Sequence, residues 1–392
     1  MLAGEGRLVH DRRVPPKGGP ARTRSDPVAR TVFHVVDSLR LGGTERMAVD
    51  LSNGLVARGW DVHLIVTRET GPLAADLHPE VEVHLLERRS RWDLGGLRVF
   101  RQLVRRDRPA IVHAHGWSSL QFVTAGLIGR RRGPAVVLHD HGGARYRTHA
   151  RLYRLVAWPL VAAHLAVGRS LLDPPLPTRL PAITEVVPNG IPVDRIRRKE
   201  HYDVADPPRL VVVGNLRAQK DHLGLIRAVA LLRDRGVDVE VDLIGATPEP
   251  DLLRRCRALI AELDLADRVH PLGRQPEVGA RLATYDLGLI SSHTESGPIA
   301  LIEYLAAGLP FVTTDVGEIP ALLPASLRSW VVAPGDPGAL ADGVVRALAA
   351  PSDERARIGD VEAELASTLS IDRAVGSVGA VYGRLGVGGS GA

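Results

Sequence analysis

The sequence predicts an α/β chain of two doubly wound domains, and three observations carry that reading. Short β-rich apolar runs alternate with amphipathic helical stretches from about residue 31 onward. The runs are apolar almost throughout, as in parallel strands covered by helices on both faces. The series also halts at a polar break, "PVDRIRRKEHYDVADPPR" (192–209), and then starts again. A length of 392 residues is too great for one ordinary core and suits two domains of roughly 150–200 residues.

Residues 1–30 are rich in Pro, Gly and Arg and lack an apolar segment. They read as a disordered tail rather than a secretory signal. The first domain, 31–190, offers six strands: "TVFHVVD" (31–37), "DVHLIVT" (61–67), "VEVHLLE" (81–87), "AIVHAH" (110–115), "AVVLHDH" (135–141) and "HLAVG" (164–168). Amphipathic stretches such as "TERMAVDLSNGLVARG" and "LGGLRVFRQLVRRDR" separate them. A linker, 191–208, follows. The second domain, 209–370, repeats the style with "RLVVVG" (209–214), "VEVDLIG" (239–245), "RVHPLG" (268–273), "DLGLISS" (286–292), "PFVTT" (310–314) and "WVVAP" (330–334). In such sheets ligands bind beyond the carboxyl ends of the strands, and two of them face to face would form a cleft.

Charge is uneven. Residues 1–30 carry 7 basic and 3 acidic side chains, 31–188 carry 21 and 14, and 189–392 carry 22 and 28. A uniformly basic nucleic-acid binder would not be built this way, so no nucleic acid is expected. A basic front half facing an anionic substrate or surface would be. No apolar run approaches the roughly 18 residues of a membrane span. The single cysteine, Cys256, excludes a disulfide framework and a cysteine-based zinc site. The cytoplasm is the simplest compartment.

Chemistry concentrates in a few stretches. In "HTESGPIALIEYLAAGLP" (293–310) a strand runs into a loop, Pro298 suits the first position of a helix, and Gly308 suits its C-cap. Glu295 then lies in the loop and Glu303 in the second helical turn, among apolar neighbours. Amides near Gly297, Pro298 and Ile299 offer an anion or polar-ligand site. A diol such as ribose would satisfy Glu303, and Glu295 could hold the hydroxyls of a second sugar. In "VVVGNLRAQKDH" (211–222) Arg217 and Lys220 follow a strand-ending glycine, Gly214, just before a helix. Lysine is rare here (Lys17, Lys199, Lys220), so a compact ammonium at this loop suits a diphosphate. "DSLRLGGTERM" (37–47) places Gly42 and Gly43 between the first strand and first helix, where backbone can approach a ligand. "HAHGWSS" (113–119) and "HDHGG" (139–143) put histidines at strand ends. They read as hydrogen-bonded site residues more than metal ligands, with His141 nearest the reaction. "VVPNGIPVD" (186–194) reads as a hinge or domain edge. The bland alternatives are solvated acids for the glutamates and a solvated loop for Arg217 and Lys220.

Taken together these residues resemble the GT-B glycosyltransferases of family GT4, a large retaining group, over about residues 31–386. Glu295 and Glu303 with Gly297-Pro298 match its E-x7-E motif, "VGNLRAQK" its phosphate-binding loop, and "VPNGIPVD" its Pro-Asn-Gly segment. "LGGTER" matches its first glycine loop, and His141-Gly142 its catalytic-centre histidine region. The resemblance implies two Rossmann-like domains facing across a cleft, with a last helix, 371–386, crossing back to the first. It implies that Arg217 and Lys220 neutralise the donor diphosphate, that Glu303 takes the ribose, and that Glu295 takes the donor sugar. Amides of Gly297 through Ile299 would touch sugar and phosphate. Gly43 would lie under the diphosphate, Arg274 near the base, and His141 at the sugar phosphate or acceptor. No metal or other cofactor is expected. Two departures bear on the donor: Glu318 stands where a second glycine is common, and Asn215 where an arginine is usual.

The implied activity is retaining transfer from a nucleotide-diphospho-sugar, UDP-sugar favoured, to a glycan or lipid-linked acceptor in cell-surface polysaccharide or glycoconjugate biosynthesis. GDP-mannose is the alternative donor. A sugar epimerase or phosphorylase on the same fold, and a non-catalytic sugar-nucleotide-binding protein, are the competing classes. Arginine-rich stretches at 97–108, 130–132 and 144–160 suggest a peripheral contact with anionic membrane.

Overall fold

The computed structural model describes residues 12–13, 30–90, 93–130, 133–142, 158–172 and 181–387. The chain forms two compact lobes. One comprises residues up to Pro188 together with Ile371 onward, and the other Asn189–Ser370.

The first lobe holds β1 (Arg12–Arg13), β2 (Thr31–Ser38), β3 (Asp61–Glu69), β4 (Glu82–Leu85), β5 (Ile111–His115), β6 (Ala135–Asp140), β7 (Val161–Ala166) and β8 (Ile183–Val186). They pair in the order β1-β4-β3-β2-β5-β6-β7-β8. Every pairing is parallel except β1 with β4. Helices α1 (Gly43–Ala57), α2 (Leu94–Asp107) and α3 (Gly116–Leu127) follow β2, β4 and β5. Alternate residues of β2 feed two cores, one with Phe33 and Val35 under α2 and α3, the other with Val32 and Val36 under α1. The first 30 residues, expected to be disordered, contribute β1, which caps the open edge of β4. Unpaired backbone groups at a sheet edge accept such a strand whatever its side chains. The rest of that tail lies outside the described residues.

The second lobe holds β9 (Arg209–Val213), β10 (Glu240–Ile244), β11 (Val269–Gly273), β12 (Leu287–Ile290), β13 (Phe311–Thr314) and β14 (Val331–Val332). Their order is β11-β10-β9-β12-β13-β14, all parallel. Its main helices are α4 (His222–Asp234), α5 (Pro250–Glu262), α6 (Ile299–Ala307), α7 (Pro337–Ala349) and α8 (Ser352–Thr368).

Residues 191–208 were expected as a linker, but they pack on the second lobe. Ile191 bridges Ser370, the Lys199 amide donates to Ala307 O at 2.8 Å, and Lys199 Nζ donates to Tyr285 O at 2.6 Å. Lys199 is buried, and burial lowers its pKa. Most polar side chains of the segment stay exposed, and Lys199 and Tyr202, whose hydroxyl donates to Gly308 O at 3.0 Å, tie it to the lobe.

The last helix, α9 (Ile371–Arg384), belongs to the first lobe and buries Val375, Val378, Val381 and Tyr382 beside Met47, Leu51 and Leu55. Burying a side chain of this size contributes about 1.5–3 kcal/mol. The two helices meet so closely that a Cβ on Gly54 would lie 2.5 Å from Val375 Cγ2.

Glu362 of α8 is fully buried, and neither side-chain oxygen has a hydrogen-bond partner among the described residues. Burial raises its carboxyl well above the ordinary 4.5. The folded state therefore keeps a proton that the unfolded chain releases, and stability falls as pH rises above 4.5, by about 1.4 kcal/mol per unit at most. Glu362→Gln should raise the melting temperature by more at pH 8 than at pH 5; an equal shift at both would remove this account.

Candidate functional site

In the second lobe the predicted loop residues gather at the carboxyl ends of β9 and β12. Arg217 begins the turn after β9 and is exposed; Ala218–Lys220 form one 3₁₀ turn, and Asp221, in a left-handed conformation, caps α4 by accepting from Gly224 N at 3.0 Å. That turn aims Lys220 at the loop after β12, where its Nζ forms an ion pair with Glu295 Oε1. Ser292 Oγ donates to the same Glu295 oxygen at 2.6 Å. Ser291 Oγ donates to Lys220 O at 2.8 Å and His293 N to Gln219 O at 2.8 Å, so the two loops are stitched together. The Glu295 side chain is 7% exposed and that of Lys220 21%, so the pair is shielded yet reachable.

The loop after β12 is held from two other sides. Gly317 has φ +58, and a Cβ there would lie 1.6 Å from Glu295 O, so only glycine lets this turn pass beneath Glu295. Asn189 Nδ2 donates to Gly297 O at 2.7 Å. The "VVPNGIPVD" stretch does lie at the lobe boundary, between Pro188 and Asn189. Its asparagine also positions the Glu295 loop, a role that the turn signal did not reveal.

Pro298 is the N-cap of α6 rather than its first residue, which is Ile299; its ψ of 109° is extended, and no side chain caps this helix end. The first-turn amides of α6 are therefore oriented toward the Gly297 loop. α6 ends at Gly308 with φ 59°, as read from the sequence. Glu303 is half-buried on its second turn. The neighbouring Tyr304 fixes the helix against the sheet: its ring lies over Gly288, its hydroxyl accepts from Val213 N at 2.9 Å, and burial raises its pKa. Arg274 follows Gly273 at the end of β11 and is exposed.

In the first lobe Gly42 caps α1 with extended backbone, and Gly43 opens the helix and is exposed. The Glu45 carboxylate lies over Gly42, within reach of Ser38 Oγ at 3.5 Å. His141 is half-buried just past β6. Asp140 shapes the turn beside it, accepting from Gly142 N at 2.9 Å and from Trp117 Nε1 at 2.8 Å.

His141 is one of five histidines whose rings cluster together. β2 and β5 put His34 opposite His113, and β5 and β6 put His115 opposite His139. Ring centroids lie 4.8 Å apart for His34–His113, 4.6 Å for His113–His115 and 4.4 Å for His139–His141. Burial lowers the His34 pKa to about 3 and that of His139 to about 4, and puts His113 and His115 well below 6.5. The sequence pointed to 113–119 and 139–143 but not to His34, nor to Tyr382, whose hydroxyl reaches both His34 and His113. The available signal was the spacing: histidines two apart on neighbouring parallel strands share a face.

Residues 207–350 match the family model described as Glycosyl transferases group 1, and residues 41–195 match Glycosyltransferase Family 4. The chain belongs to glycosyltransferase family 4. This family 4 glycosyltransferase is an enzyme, a hexosyltransferase of glycoconjugate biosynthesis. It is 24% identical over 328 residues, 79% of its own length and 85% of the relative's, to N-acetyl-alpha-D-glucosaminyl L-malate synthase of Bacillus anthracis. It is 27% identical over 415 aligned positions, 93% of its length and 95% of the relative's, to D-inositol 3-phosphate glycosyltransferase 2 of Catenulispora acidiphila. Its fold is that of the GT-B protein HepE of Anabaena, solved in complex with UDP and glucose, with TM-score 0.77 at 17% identity, over 90% of this chain and 99% of that one.

Replacing Gly317 by alanine in this glycosyltransferase should move the Glu295 loop, because strain in the left-handed region of about 1–2 kcal/mol adds to the backbone clash. Asn189→Ala should loosen the same loop by about 1 kcal/mol through loss of one hydrogen bond. Both variants should raise KM for the donor in steady-state assays; unchanged KM in both would mean that the loop's position does not matter.

Proposed function

We propose that this enzyme is a retaining transferase that moves a hexosyl group from a UDP-sugar to a glycan or lipid-linked acceptor. The observation that carries the reading is the shielded ion pair of Lys220 and Glu295 at the strand ends of the second lobe. A diphosphate entering there competes with Glu295 for the lysine ammonium. Once exchanged, Lys220 and the exposed Arg217 neutralise charge that grows on the leaving phosphate as the glycosidic bond breaks. Glu295, released from the lysine, accepts hydrogen bonds from donor-sugar hydroxyls, and Glu303 from the ribose diol. The amides around Gly297 and Ile299 complete the cradle. The resemblance assigns Arg274 to the base, Gly43 to the diphosphate, and His141 to the sugar phosphate or the acceptor. These assignments, the retaining stereochemistry and departure of the diphosphate without a metal rest on the family resemblance.

The UDP preference is supported by HepE, which was solved with UDP and glucose. A lipid-linked acceptor is supported by a 27% identical Arabidopsis thaliana relative, a phosphatidylinositol N-acetylglucosaminyltransferase subunit, 57% of whose length this chain spans. Membrane contact has a narrower base than the sequence suggested. Within 97–108, Arg101 donates to Gly126 O and Ala125 O, and Arg106 pairs with Asp107 and Glu82. Arg98, Arg105 and Arg108 are exposed and remain as candidates for anionic headgroups. Residues 144–157 and 131–132 lie outside the described residues. No helix among the described residues is long and apolar enough to cross a membrane.

Lys220→Ala and Glu295→Gln should each lower kcat/KM by about 100-fold or more, the usual scale for losing one charge-stabilising group. Near-wild-type turnover in either variant would end the assignment. In a thermal-shift titration UDP should raise the melting temperature at lower concentration than GDP; the reverse order would move the donor to GDP-mannose.

A further inference from the structure

The hydrogen-bond order of the first lobe's histidine cluster leaves the lone pair of His115 Nδ1 facing only His141, and His139 Nδ1 with no hydrogen-bond partner. His113 Nδ1 lies 2.6 Å from the Tyr382 hydroxyl oxygen. That is short for an N–H donor and ordinary for an O–H donor, so the tyrosine donates to His113. Its oxygen then accepts from His34 Nε2 at 3.2 Å. His34 Nδ1 is left as an acceptor, and it takes the Nε2 proton of His115 at 3.1 Å. His115 Nδ1 therefore carries a lone pair. His139 reaches the same condition independently: its Nε2 donates to Val187 O in a long bond of 3.4 Å, and its buried Nδ1 has no hydrogen-bond partner.

These two residues are opposite each other in the β5–β6 register. His141 completes the group, with Nε2 at 3.3 Å from His115 Nδ1. One ring nitrogen from each of His115, His139 and His141 lies within 4.8 Å of the others. For metal–nitrogen bonds of about 2.0–2.1 Å, tetrahedral ligands stand roughly 3.3 Å apart, which the His115–His141 pair already matches. An imidazole that donates from one nitrogen to a carbonyl or another acceptor, and turns the other inward, is the usual posture of a metal ligand.

We propose that His115, His139 and His141 bind a divalent transition metal of the zinc type. Three neutral nitrogen ligands suit zinc, cobalt, nickel or copper and disfavour magnesium and calcium, which take oxygen. His34, His113 and His115 also come together, but both ring nitrogens of His34 are tied to Tyr382 and His115, whereas the one contact that a metal would replace at His115 Nδ1 is to His141, itself a ligand of the proposed set. Three ligands leave a fourth position for water or a substrate oxygen, and His141, half-buried, is the ligand nearest solvent. This site belongs to the first lobe, whereas the cationic residues assigned to the diphosphate belong to the second. It does not alter the metal-free account of diphosphate neutralisation.

The test uses the full-length protein, stripped by a chelator and titrated with Co²⁺, with absorbance and equilibrium dialysis as readouts. One equivalent should bind with the intense visible bands of a four-coordinate ion, and Zn²⁺ should displace it and raise the melting temperature. His139→Gln and His141→Asn should each weaken binding by roughly 10-fold or more. His63→Gln, in the separate His63–Glu82–His84 group, should leave it unchanged. Circular dichroism checks each fold; should His139→Gln fail to fold, the half-buried His141→Asn decides. No retained Co²⁺, full-strength binding in His141→Asn, or loss confined to His63→Gln would overturn the site.

Discussion

Parallel pairing is the constraint on which the rest depends. Because every strand after β1 runs the same way within its sheet, all strands of a sheet end at one rim. At that rim the ladder stops and backbone groups must find other partners. In the second lobe they find the site residues themselves. Ser291 Oγ takes Lys220 O, Thr314 Oγ1 takes Ser292 O at 2.8 Å, and His293 N takes Gln219 O. The bonds that finish the sheet are thus the bonds that set Lys220 beside Glu295. Polar side chains can be buried there because each settles a debt of the backbone.

On the proposed function, the ion pair stands in for the contact that Lys220 makes with a bound diphosphate. Removing two charges from water costs several kcal/mol each, and a lone pair of opposite charges often recovers little more than that. Here Glu295 also accepts from Ser292, and the lysine is only partly covered. Such a pair is cheap to open for a ligand that brings two negative charges of its own. The support around it is stiff: Gly317 passes under Glu295 with no room for a Cβ, and Asn189 ties down Gly297. Rigid backbone with an exchangeable side-chain contact is what a site needs if it is to be formed before its ligand arrives.

Much of this was legible in the chain. Continuous apolar runs located twelve strands to within a few residues, because burial on both faces leaves a composition signal without requiring any long-range knowledge. The Gly-Pro and Gly308 punctuation of α6 placed Glu295 in a loop and Glu303 on a helix. What escaped was of two kinds. β8, "ITEV", is an edge strand with every residue half-buried, so its apolar signal is diluted, and β1 is two residues long. The other misses are contacts that sequence order hides. His34 meets Tyr382 across 348 positions, and Asn189 meets Gly297 across 108. Local pattern says which face a residue occupies, but not what is brought against that face.

The return of α9 to the first lobe shows how much such a contact can decide. Its valines cover the sheet beside α1, and any apolar helix of that length could do as much. Tyr382 does something a covering helix need not. Without its hydroxyl, His34 would hold a buried N–H with no acceptor and His113 a buried lone pair with no donor, at a cost of about 1–3 kcal/mol apiece. With it, the proton order runs through His34 to His115 and ends at a lone pair on His115 Nδ1 that faces His141 Nε2. Burial keeps these imidazoles neutral, so the strand ends of a basic lobe present lone pairs instead of positive charge. A residue near the end of the chain therefore sets the chemistry available at the ends of β5 and β6, and the basic character of this lobe rests with its arginines.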